Sequence, residues 1–525
     1  MRLYLYVLAF AAGLVTLGTE LAASRLLAPF FGTSLVIWTS VIGLFLAALS
    51  AGYWLGGKLA DRSPSLFTVL RLVAVAAVLI GIAPDLARPV FSLAISGMTS
   101  AKLGLLTGSF ISVMALLGVP MILLGSVSPF AIRLATRRIE EAGRVSGQLY
   151  AISTLGSFLG AFLPVVFLIP SIGTRWTFIS FALLLLAVTL AGFLLCRKTT
   201  WAATAAALLV GLAALGWLRG GMPVKPGARV VFEGESVYQY VRVVENDRGW
   251  RKLQLNEGVV VHSWYRPGEL FTNGEWDYFA LAPLFTPAPF LKDSARRWAL
   301  IGTGAGTTAR LISRIYGNVR IDGIELDPMV ADVGLKFFGR QPSNYQVTVQ
   351  DGRAWLLLNR ETYDVIGIDA YRQPYIPFEL TTVECFRQIR NRLSTNGVVA
   401  MNVVHLPGDD RLVGALVATL RQVFASVHVM HLGSNNRTSL VVASCLPVTL
   451  DDFSRNVSAC GDSRLITLGA KAKTMIVSNV GPGPVLTDDC APVEKLMDLM
   501  LLKYVMSDES SVKNQRAPML KPRGT

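Results

Sequence analysis

The stretch that decides the fold lies at residues 298–327, which begin Trp298-Ala-Leu-Ile-Gly-Thr-Gly-Ala-Gly-Thr-Thr-Ala and end Val-Arg-Ile-Asp-Gly-Ile-Glu-Leu-Asp327. A short apolar run enters a glycine-rich turn, a helix-like segment follows, and a second apolar run ends in two carboxylates. This order predicts the strand–loop–helix–strand unit of a Rossmann-like α/β domain, whose loop holds a nucleoside. Glycine lets the backbone approach a ligand that a Cβ would block. The predicted cofactor-binding residues of this unit are Gly302, Gly304, Ala305, Gly306, Glu325 and Asp327.

The chain has two compositional halves. Of its 525 residues, 52% are hydrophobic and only 16% are charged, which is too apolar for a soluble protein of average make-up. Long uncharged runs extend to about residue 218, and the later sequence is typical of a soluble α/β protein. Much of the net charge of +14 lies in short loops between apolar runs and in the tail, where topology and anionic lipid explain it. The sequence therefore predicts a lipid bilayer as a partner and no nucleic acid.

About seven stretches are apolar enough to cross a bilayer as helices of ~20 residues, and a shorter piece at 90–95 leaves the count open by one. Arginine and lysine are concentrated after the second, fourth and sixth stretches, which places the N-terminus in the cytoplasm of a multi-pass protein of the plasma (inner) membrane. Seven spans would place the soluble half outside the cytoplasm, away from a cytosolic nucleoside. The side of the membrane on which the soluble half lies is therefore left open. Gly156 and Gly160 form a small-residue face that favours close helix packing. The predicted spans are residues 3–27, 34–57, 67–83, 103–124, 149–169, 177–195 and 201–217.

These features divide the chain into five predicted segments. Alternating apolar and polar residues after the last span predict strands. The cysteines and histidines lack the spacing of a zinc site or a disulfide framework, so no metal site is predicted. The segments are an α-helical transmembrane domain at 1–218, a Gly/Pro-rich linker at 219–228, a small β-rich substrate subdomain at 229–285, the Rossmann-like catalytic domain at 286–506 and a disordered tail at 507–525.

Two further apolar strands end in acids, at Asp351 and Asp369. Ligands gather at the carboxyl ends of the strands in an open α/β sheet, so these acids and Glu325 should converge on one crevice. Glu325 is placed to accept hydrogen bonds from ribose hydroxyls. Asp351, followed by Gly352, can bind an adenine amino group, cap the following helix, or do both. Candidates for the wall of a substrate pocket are Glu257, Trp276, Asp277 and Tyr278.

From about residue 231 to 443 the chain resembles the spermidine synthase (polyamine aminopropyltransferase) family. Together with its apolar front half, it looks like the membrane-fused branch of that family. The pieces that carry the resemblance are Gln254-Leu-Asn-Glu-Gly258, the loop from Gly302 to Gly306, Ile324-Glu-Leu-Asp327, Asp351-Gly-Arg353, the strand ending at Asp369 with the Pro-containing loop after it, and Leu380-Thr-Thr-Val-Glu384.

The resemblance implies a reaction and a set of roles. These enzymes transfer an aminopropyl group from decarboxylated S-adenosylmethionine, used as a co-substrate, to a small amine such as putrescine. Asp369 would hold the catalytic position with Tyr371 or Tyr375 beside it, Glu325 would hold the ribose, Asp351 would hold the adenine, and no metal would take part. The attacked carbon lies beside a sulfonium, so the enzyme mainly positions the reactants and deprotonates the amine. Assembly as a homodimer is left open.

Four positions depart from the family's pattern: Glu257 replaces an aspartate, Val261 replaces a glutamine, and Ala305 and Arg372 change the charge of the site. Ala305 stands where the loop normally carries an aspartate that grips the aminopropyl amine, and Arg372 stands close to the place of a second catalytic-loop aspartate. An arginine repels a polyamine and favours a carboxylate. Two alternatives therefore stay open: a methyltransferase that uses intact S-adenosylmethionine, and a transporter or sensor that binds a nucleoside or polyamine without turnover.

Overall fold

The structure, a computed structural model, divides into two compact units. The first comprises Met1–Gly227 with Glu233–Tyr240, and the second comprises Ala228–Phe232 with Val241–Thr525. The predicted tail, almost all of the predicted linker and Glu257 lie outside the described residues. The residues that the structure describes are 1–31, 35–101, 110–219, 229–256, 258, 260–291, 294–317, 319–372, 375–432 and 437–506.

The first unit is built from helices whose shared core consists almost entirely of aliphatic and phenylalanine side chains. Two short π-helical segments lie between α-helices of this unit, at Met114–Gly118 and Leu163–Leu168. The α-helices are α1 (Arg2–Phe31), α2 (Leu35–Arg62), α3 (Leu66–Ala101), α4 (Val119–Gly125), α5 (Val127–Ala135), α6 (Ala142–Phe162), α7 (Ile169–Leu195) and α8 (Thr199–Arg219).

Six helical segments in the described part of the chain are long and apolar enough to cross a membrane. Two of the predicted spans, 149–169 and 177–195, lie together in one segment of 57 residues, Ile139–Leu195. Gly173, with a φ of 78°, breaks the helical backbone inside that segment, between the two spans. The described parts of the other five predicted spans fall on separate segments, which are Arg2–Phe31, Ile37–Arg62, Leu66–Ala94, Phe110–Ala135 and Thr199–Arg219; residues 103–109 of the span 103–124 lie outside the described residues.

Helices α1 and α6 pack backbone against backbone. A Cβ built on Gly156 would overlap the carbonyl oxygen of Phe10, and one built on Gly160 would overlap another α1 carbonyl. The Ser157 hydroxyl donates to the Gly13 carbonyl oxygen across the same contact, at 3.2 Å. In a lipid bilayer, where the hydrophobic effect does not drive helices together, close van der Waals packing of this kind holds them in contact. The small-residue face predicted at Gly156 and Gly160 is therefore confirmed.

The β-rich part that follows is a four-stranded sheet in the order β1-β2-β3-β4. Strand β3 pairs antiparallel with both β2 and β4. A 3₁₀ helix, Glu275–Leu284, then leads towards the α/β core, and nearly all of its side chains are buried. The strands are β1 (Arg229–Glu235), β2 (Tyr240–Glu245), β3 (Arg251–Leu255) and β4 (Val261–Tyr265).

The α/β core contains an eight-stranded mixed sheet in the order β12-β10-β11-β9-β8-β5-β6-β7. The five strands from β5 to β9 run parallel, and the remaining three join through antiparallel pairs. The strands are β5 (Arg297–Ile301), β6 (Arg320–Glu325), β7 (Tyr345–Val349), β8 (Tyr363–Ile368), β9 (Leu393–Val404), β10 (Ser426–Leu432), β11 (Thr438–Ser444) and β12 (Ile476–Val477).

Helices cover both faces of this sheet, as a Rossmann-like fold requires. Along β5, Trp298 and Leu300 join one core cluster while Ala299 and Ile301 join the other, because successive strand side chains point to opposite faces. The sheet therefore has a buried layer on each side. Its helices are α9 (Thr307–Tyr316), α10 (Pro328–Phe337), α11 (Gly352–Leu358), α12 (Val383–Arg392), α13 (Arg411–Leu420), α14 (Leu450–Ala459), α15 (Ser463–Lys473) and α16 (Val493–Met506).

Candidate active site

The glycine-rich loop between β5 and α9 packs closely against the protein itself. Gly302, Gly304 and Gly306 have φ of 79°, 54° and 81°, in the left-handed region that favours glycine. A Cβ on Gly302 would lie 2.5 Å from the carbonyl oxygen of Asp369, and one on Gly304 would lie 2.8 Å from the Ser263 hydroxyl. Protein atoms of β4 and of the segment after β8 therefore leave no room for a side chain at Gly302 or Gly304. Approach of a ligand, the reason inferred from the sequence, is not needed to explain these glycines.

Ala305 belongs to the packing of this loop. It is only 1% exposed and lies in an apolar cluster with Val330 and Val333 of α10. Its N–H donates to the Ser263 hydroxyl at 2.9 Å, and its carbonyl oxygen accepts from the Arg310 guanidinium at 3.0 Å. Burial lowers the pKa of Arg310 to about 10. The backbone polar groups of Ala305 are thus used inside the protein, and its methyl group faces apolar neighbours.

Glu325 ends β6 and ties the loop to the end of that strand. Its carboxylate accepts hydrogen bonds from the N–H groups of Gly304 at 2.9 Å and Asp327 at 3.2 Å. Burial raises its pKa to about 7, although these hydrogen bonds favour the ionised form. Asp327 is 1% exposed and caps α10 by accepting from the Met329 N–H at 2.9 Å. Of these two acids, Glu325 is the better placed for a ligand at the strand end.

Asp351 and Gly352 begin α11. The Asp351 carboxylate accepts from the Ala354 N–H at 2.9 Å, which is the helix-capping role that the sequence allowed. Its side chain is exposed, so its second oxygen can still meet a ligand. A Cβ on Gly352 would lie 2.5 Å from the Ile301 side chain. Glycine at this position lets α11 pack on β5.

Asp369 follows β8 and has a second carboxyl group, that of Glu275, as its neighbour. Asp369 accepts from the Asn402 amide at 2.9 Å and from the Trp276 side chain. Burial raises the pKa of Asp369 to about 6 in spite of these two hydrogen bonds. Burial also raises the pKa of Glu275 to about 7, and the negative charge of Asp369 adds to the rise. Two carboxyl groups that titrate near neutral pH therefore share one site.

Two members of this cluster, Glu275 and Asn402, escape the sequence patterns. Glu275 lies at the start of a 3₁₀ helix, and no strand-end pattern marks it. Asn402 carries a weak signal, since it is a buried amide inside the otherwise apolar second half of β9. A buried polar side chain in such a run needs a partner, and here the partner is Asp369.

The two tyrosines predicted beside Asp369 form hydrogen bonds within the protein. The Tyr371 hydroxyl donates to the Asn402 carbonyl oxygen at 2.9 Å and accepts from the Val404 N–H at 3.0 Å. Burial and the charge of Asp369 raise the pKa of Tyr371 well above its usual value. The Tyr375 hydroxyl donates to the Asp498 carboxylate of α16 at 2.6 Å. Tyr371 thus ties the segment after Asp369 to β9, and Tyr375 ties it to α16.

Asp277 and Tyr278, two of the predicted pocket-wall residues, have other partners. The Asp277 carboxylate is buried and accepts from the backbone N–H groups of Thr272 and Asn273 at distances of 2.7–3.1 Å. Tyr278 is 3% exposed and packs in the core cluster on the face of the sheet that α9 covers. Arg372 is exposed, and its backbone forms an antiparallel bridge with Tyr375.

The strand order brings the predicted acids to one edge of the sheet. Strands β8, β5, β6 and β7 are adjacent and parallel, so Asp369, Gly302, Glu325 and Asp351 follow one another along their carboxyl ends. Neighbouring strands lie ~4.8 Å apart, so Asp369 and Asp351 are separated by three spacings, roughly 14 Å. That length suits an adenosyl group lying across the strand ends, with its reactive end near Asp369 and its base near Asp351.

Comparison with known proteins identifies related sequences. The sequence model described as "Spermine/spermidine synthase domain" matches residues 285–433. A probable polyamine aminopropyl transferase of Bifidobacterium longum (strain NCC 2705) is 33% identical over 211 residues, which cover 40% of this chain and 46% of that protein. The polyamine aminopropyltransferase of Vibrio vulnificus (strain CMCP6) is 31% identical over 229 residues, which cover 42% of this chain and 73% of that protein.

A solved structure of a probable spermidine synthase from Corynebacterium glutamicum ATCC 13032 matches 47% of this chain and 95% of its own length, at 20% identity and a TM-score of 0.38. Among the sequences, the match spans less than half the length of the Bifidobacterium protein.

Proposed function

Since the chain belongs to the spermidine synthase (polyamine aminopropyltransferase) family, we propose that it transfers an aminopropyl group from decarboxylated S-adenosylmethionine to a small amine such as putrescine. The observation that carries the proposal is the carboxyl pair of Asp369 and Glu275, which lies at the same sheet edge as Glu325. An acceptor amine is a cation at neutral pH, and this pair supplies both the negative charge that attracts it and a base that can deprotonate it.

The reaction needs little covalent chemistry from the protein. The amine nitrogen forms a bond to the aminopropyl carbon beside the sulfonium, and the C–S bond breaks with its electron pair going to sulfur. Neutral methylthioadenosine leaves, and the amine nitrogen gives up one proton. Asp369, whose pKa is raised to about 6, is mainly ionised at pH 7 and accepts that proton. A positioned general base contributes roughly 10²–10⁴-fold to the rate, and orientation of the two reactants contributes the rest.

The proposed co-substrate lies across the strand ends. Glu325 accepts hydrogen bonds from the ribose hydroxyls, and Asp351 accepts one from the adenine amino group. Tyr371 and Tyr375 act on the loop after Asp369, since their hydroxyls bind β9 and α16. The six apolar helical segments support a multi-pass protein of an inner membrane, with a lipid bilayer as the partner of the first unit.

A methyltransferase that uses intact S-adenosylmethionine is the second candidate, and Arg372 favours it. The Arg372 residue is exposed and lies three positions after Asp369. A guanidinium beside the reactive end of the cofactor attracts the carboxylate that the intact form carries and the decarboxylated form lacks. The acceptor amine could be the same in both reactions, so the cofactor distinguishes them.

Titration of the full-length protein in detergent with both cofactors separates these functions. Tighter binding of the decarboxylated form, with methylthioadenosine released on adding an amine, supports aminopropyl transfer. Preference for the intact form, with adenosylhomocysteine released, supports methyl transfer. Binding of either form without turnover across a panel of diamines would contradict both and favour a sensor or transporter.

The variant Asp369→Asn tests the carboxylate that the mechanism needs. The amide keeps the shape of the side chain but cannot take a proton, so turnover should fall by roughly 10²-fold or more while nucleoside affinity stays nearly constant. Asp364→Asn is the matched control, because Asp364 lies at the opposite end of β8 and accepts only the N–H groups of Arg296 and Arg297 in the described hydrogen bonds. Full turnover in Asp369→Asn would rule out its proposed role.

A further inference from the structure

Three side chains that are far apart in sequence meet beside β9, outside the carboxyl pair. His405 follows the end of β9, Asp410 precedes α13, and His431 lies in β10. One ligand-type atom from each of the three lies within 4.8 Å of the other two. His405 is 1% exposed, whereas the Asp410 side chain is 32% exposed and gives the cluster access to solvent.

A serine hydroxyl orients both imidazole rings. Ser439 of β11 places its Oγ 2.9 Å from Nδ1 of His405 and 2.8 Å from Nδ1 of His431. The register of the sheet sets this up, since Ser439 pairs directly with His431 on one side and with Val403 on the other. The two rings stack with their centroids 4.3 Å apart. Because Nδ1 of each ring contacts Ser439, Nε2 is the nitrogen that each ring has left for a metal ion.

The Asp410 carboxylate completes the cluster, and one of its oxygens lies near Nε2 of His431. It lies at the N-cap position of α13, where an aspartate side chain normally caps the helix. Within the part of the chain that the structure describes, this carboxylate makes no capping hydrogen bond. One of its oxygens instead lies 3.7 Å from Nε2 of His431, which is too long for a hydrogen bond. It is close to the spacing of two ligands that each lie ~2 Å from one metal ion.

We propose that Nε2 of His405, Nε2 of His431 and a carboxylate oxygen of Asp410 bind a divalent transition metal ion of the zinc class. Two imidazoles and one carboxylate are a ligand set that such ions prefer, and water can take the fourth position. Ser439 is the outer partner that fixes the ring nitrogens opposite the metal, a common feature of histidine metal sites.

The proposed ion has a structural role. It joins the segment after β9 to β10 and so fixes the end of the strand that carries Asn402 and the Val404 N–H, the partners of Asp369 and Tyr371. It takes no part in the transfer reaction, so the site stands even if the proposed function is wrong. A divalent ion that binds the folded state and not the unfolded chain must raise thermal stability.

The test uses the full-length protein without a polyhistidine tag, purified in detergent and stripped with a chelator. Zinc should bind at one ion per chain and raise the melting temperature by several degrees. With copper(II) as a probe, electron paramagnetic resonance should show two coordinated imidazole nitrogens in the wild type and one in His431→Gln. Asp410→Asn should weaken zinc binding at least tenfold while the protein stays folded.

The matched control is His428→Gln. His428 lies on the same strand, β10, but its Nε2 contacts the Val448 carbonyl oxygen at 3.1 Å, away from the cluster. Its replacement should leave zinc stoichiometry, zinc affinity and the copper spectrum unchanged. The proposal is overturned if the chelator-stripped wild type does not bind zinc at one ion per chain. It is also overturned if His431→Gln and Asp410→Asn bind as the wild type does.

Discussion

Replacing Glu275 with glutamine should stabilise the protein at alkaline pH and have a smaller effect, of either sign, in acid. Burial raises the pKa of this carboxyl group from 4.5 to about 7, with further contributions from the charges of Asp369 and Asp277. The folded protein therefore resists ionising Glu275, whereas the unfolded chain does not. Glutamine has nearly the same shape and stays neutral at every pH, so the variant avoids that cost.

The magnitude follows from the two pKa values. The stability contributed by a carboxyl group with a raised pKa is complete below its unfolded value of 4.5 and is lost as the pH rises through about 7. Over each pH unit between these two pKa values, the free energy of unfolding falls by about 1.4 kcal/mol. Ionisation of Glu275 thus costs the folded state on the order of 3 kcal/mol at pH 9. One kcal/mol shifts the melting temperature of a domain of this size by about 2–4 °C.

Thermal unfolding of the full-length protein in detergent, followed by tryptophan fluorescence from pH 5 to 9, measures this effect. The difference in melting temperature between Glu275→Gln and the wild type should grow by several degrees over that range. Glu269→Gln is the control, because Glu269 is an exposed carboxylate paired with Arg266, and its difference should stay flat. The contrary result is a difference in melting temperature between Glu275→Gln and the wild type that stays constant with pH to within about a degree. Burial would then not raise the pKa of Glu275, and the prediction would be wrong.

Two predictions concern glycines that touch neighbouring backbone. Gly302→Ala forces a Cβ to within 2.5 Å of the Asp369 carbonyl oxygen at a φ of 79°. Chemical unfolding should show a loss of stability of about 2 kcal/mol or more. A titration should show weaker nucleoside binding. Gly249→Ala, at a φ of 74° with open space around it, should keep normal nucleoside affinity, and equal losses would refute the steric argument. Gly156→Leu should separate α1 from α6 and so lower the melting temperature in detergent by several degrees. The control Gly147→Leu, where a Cβ meets open space, should not lower it. Equal effects of the two substitutions would mean that the close contact contributes little to stability.

The main strands and the order of the α/β core could be predicted from local sequence patterns. Each apolar strand, its glycine-rich or acidic end and the helix after it are adjacent in the chain. The parallel topology then brings their ends to one edge. For this reason the sequence alone places Glu325, Asp351 and Asp369 at strand ends. The close contact at Gly156 is local in the same sense, since the spacing of small residues on one helix face predicts it.

Sequence could not distinguish an acid that meets a ligand from one that binds its own backbone. Sequence patterns assign both Asp277 and Asp327 to binding, yet their carboxylates accept backbone N–H groups of the adjacent turn and helix. The cluster of His405, Asp410 and His431 escapes prediction for a different reason. Its two histidines meet through the antiparallel pairing of β9, β11 and β10, and no sequence spacing encodes that register.

The carboxyl pair also changes how the departures from the family pattern should be interpreted. By sequence, Ala305 implies a lost grip on the aminopropyl amine, but its methyl group lies among Val330 and Val333, so this position contributes packing. In the proposed reaction, Asp369 and Glu275 would then be the main groups that hold the cationic parts of the reactants. Burial raises the pKa of both carboxyl groups, to about 6 and about 7, so near neutral pH the pair can carry negative charge and also accept a proton. It can bind an ammonium group and still keep the proton that the amine releases.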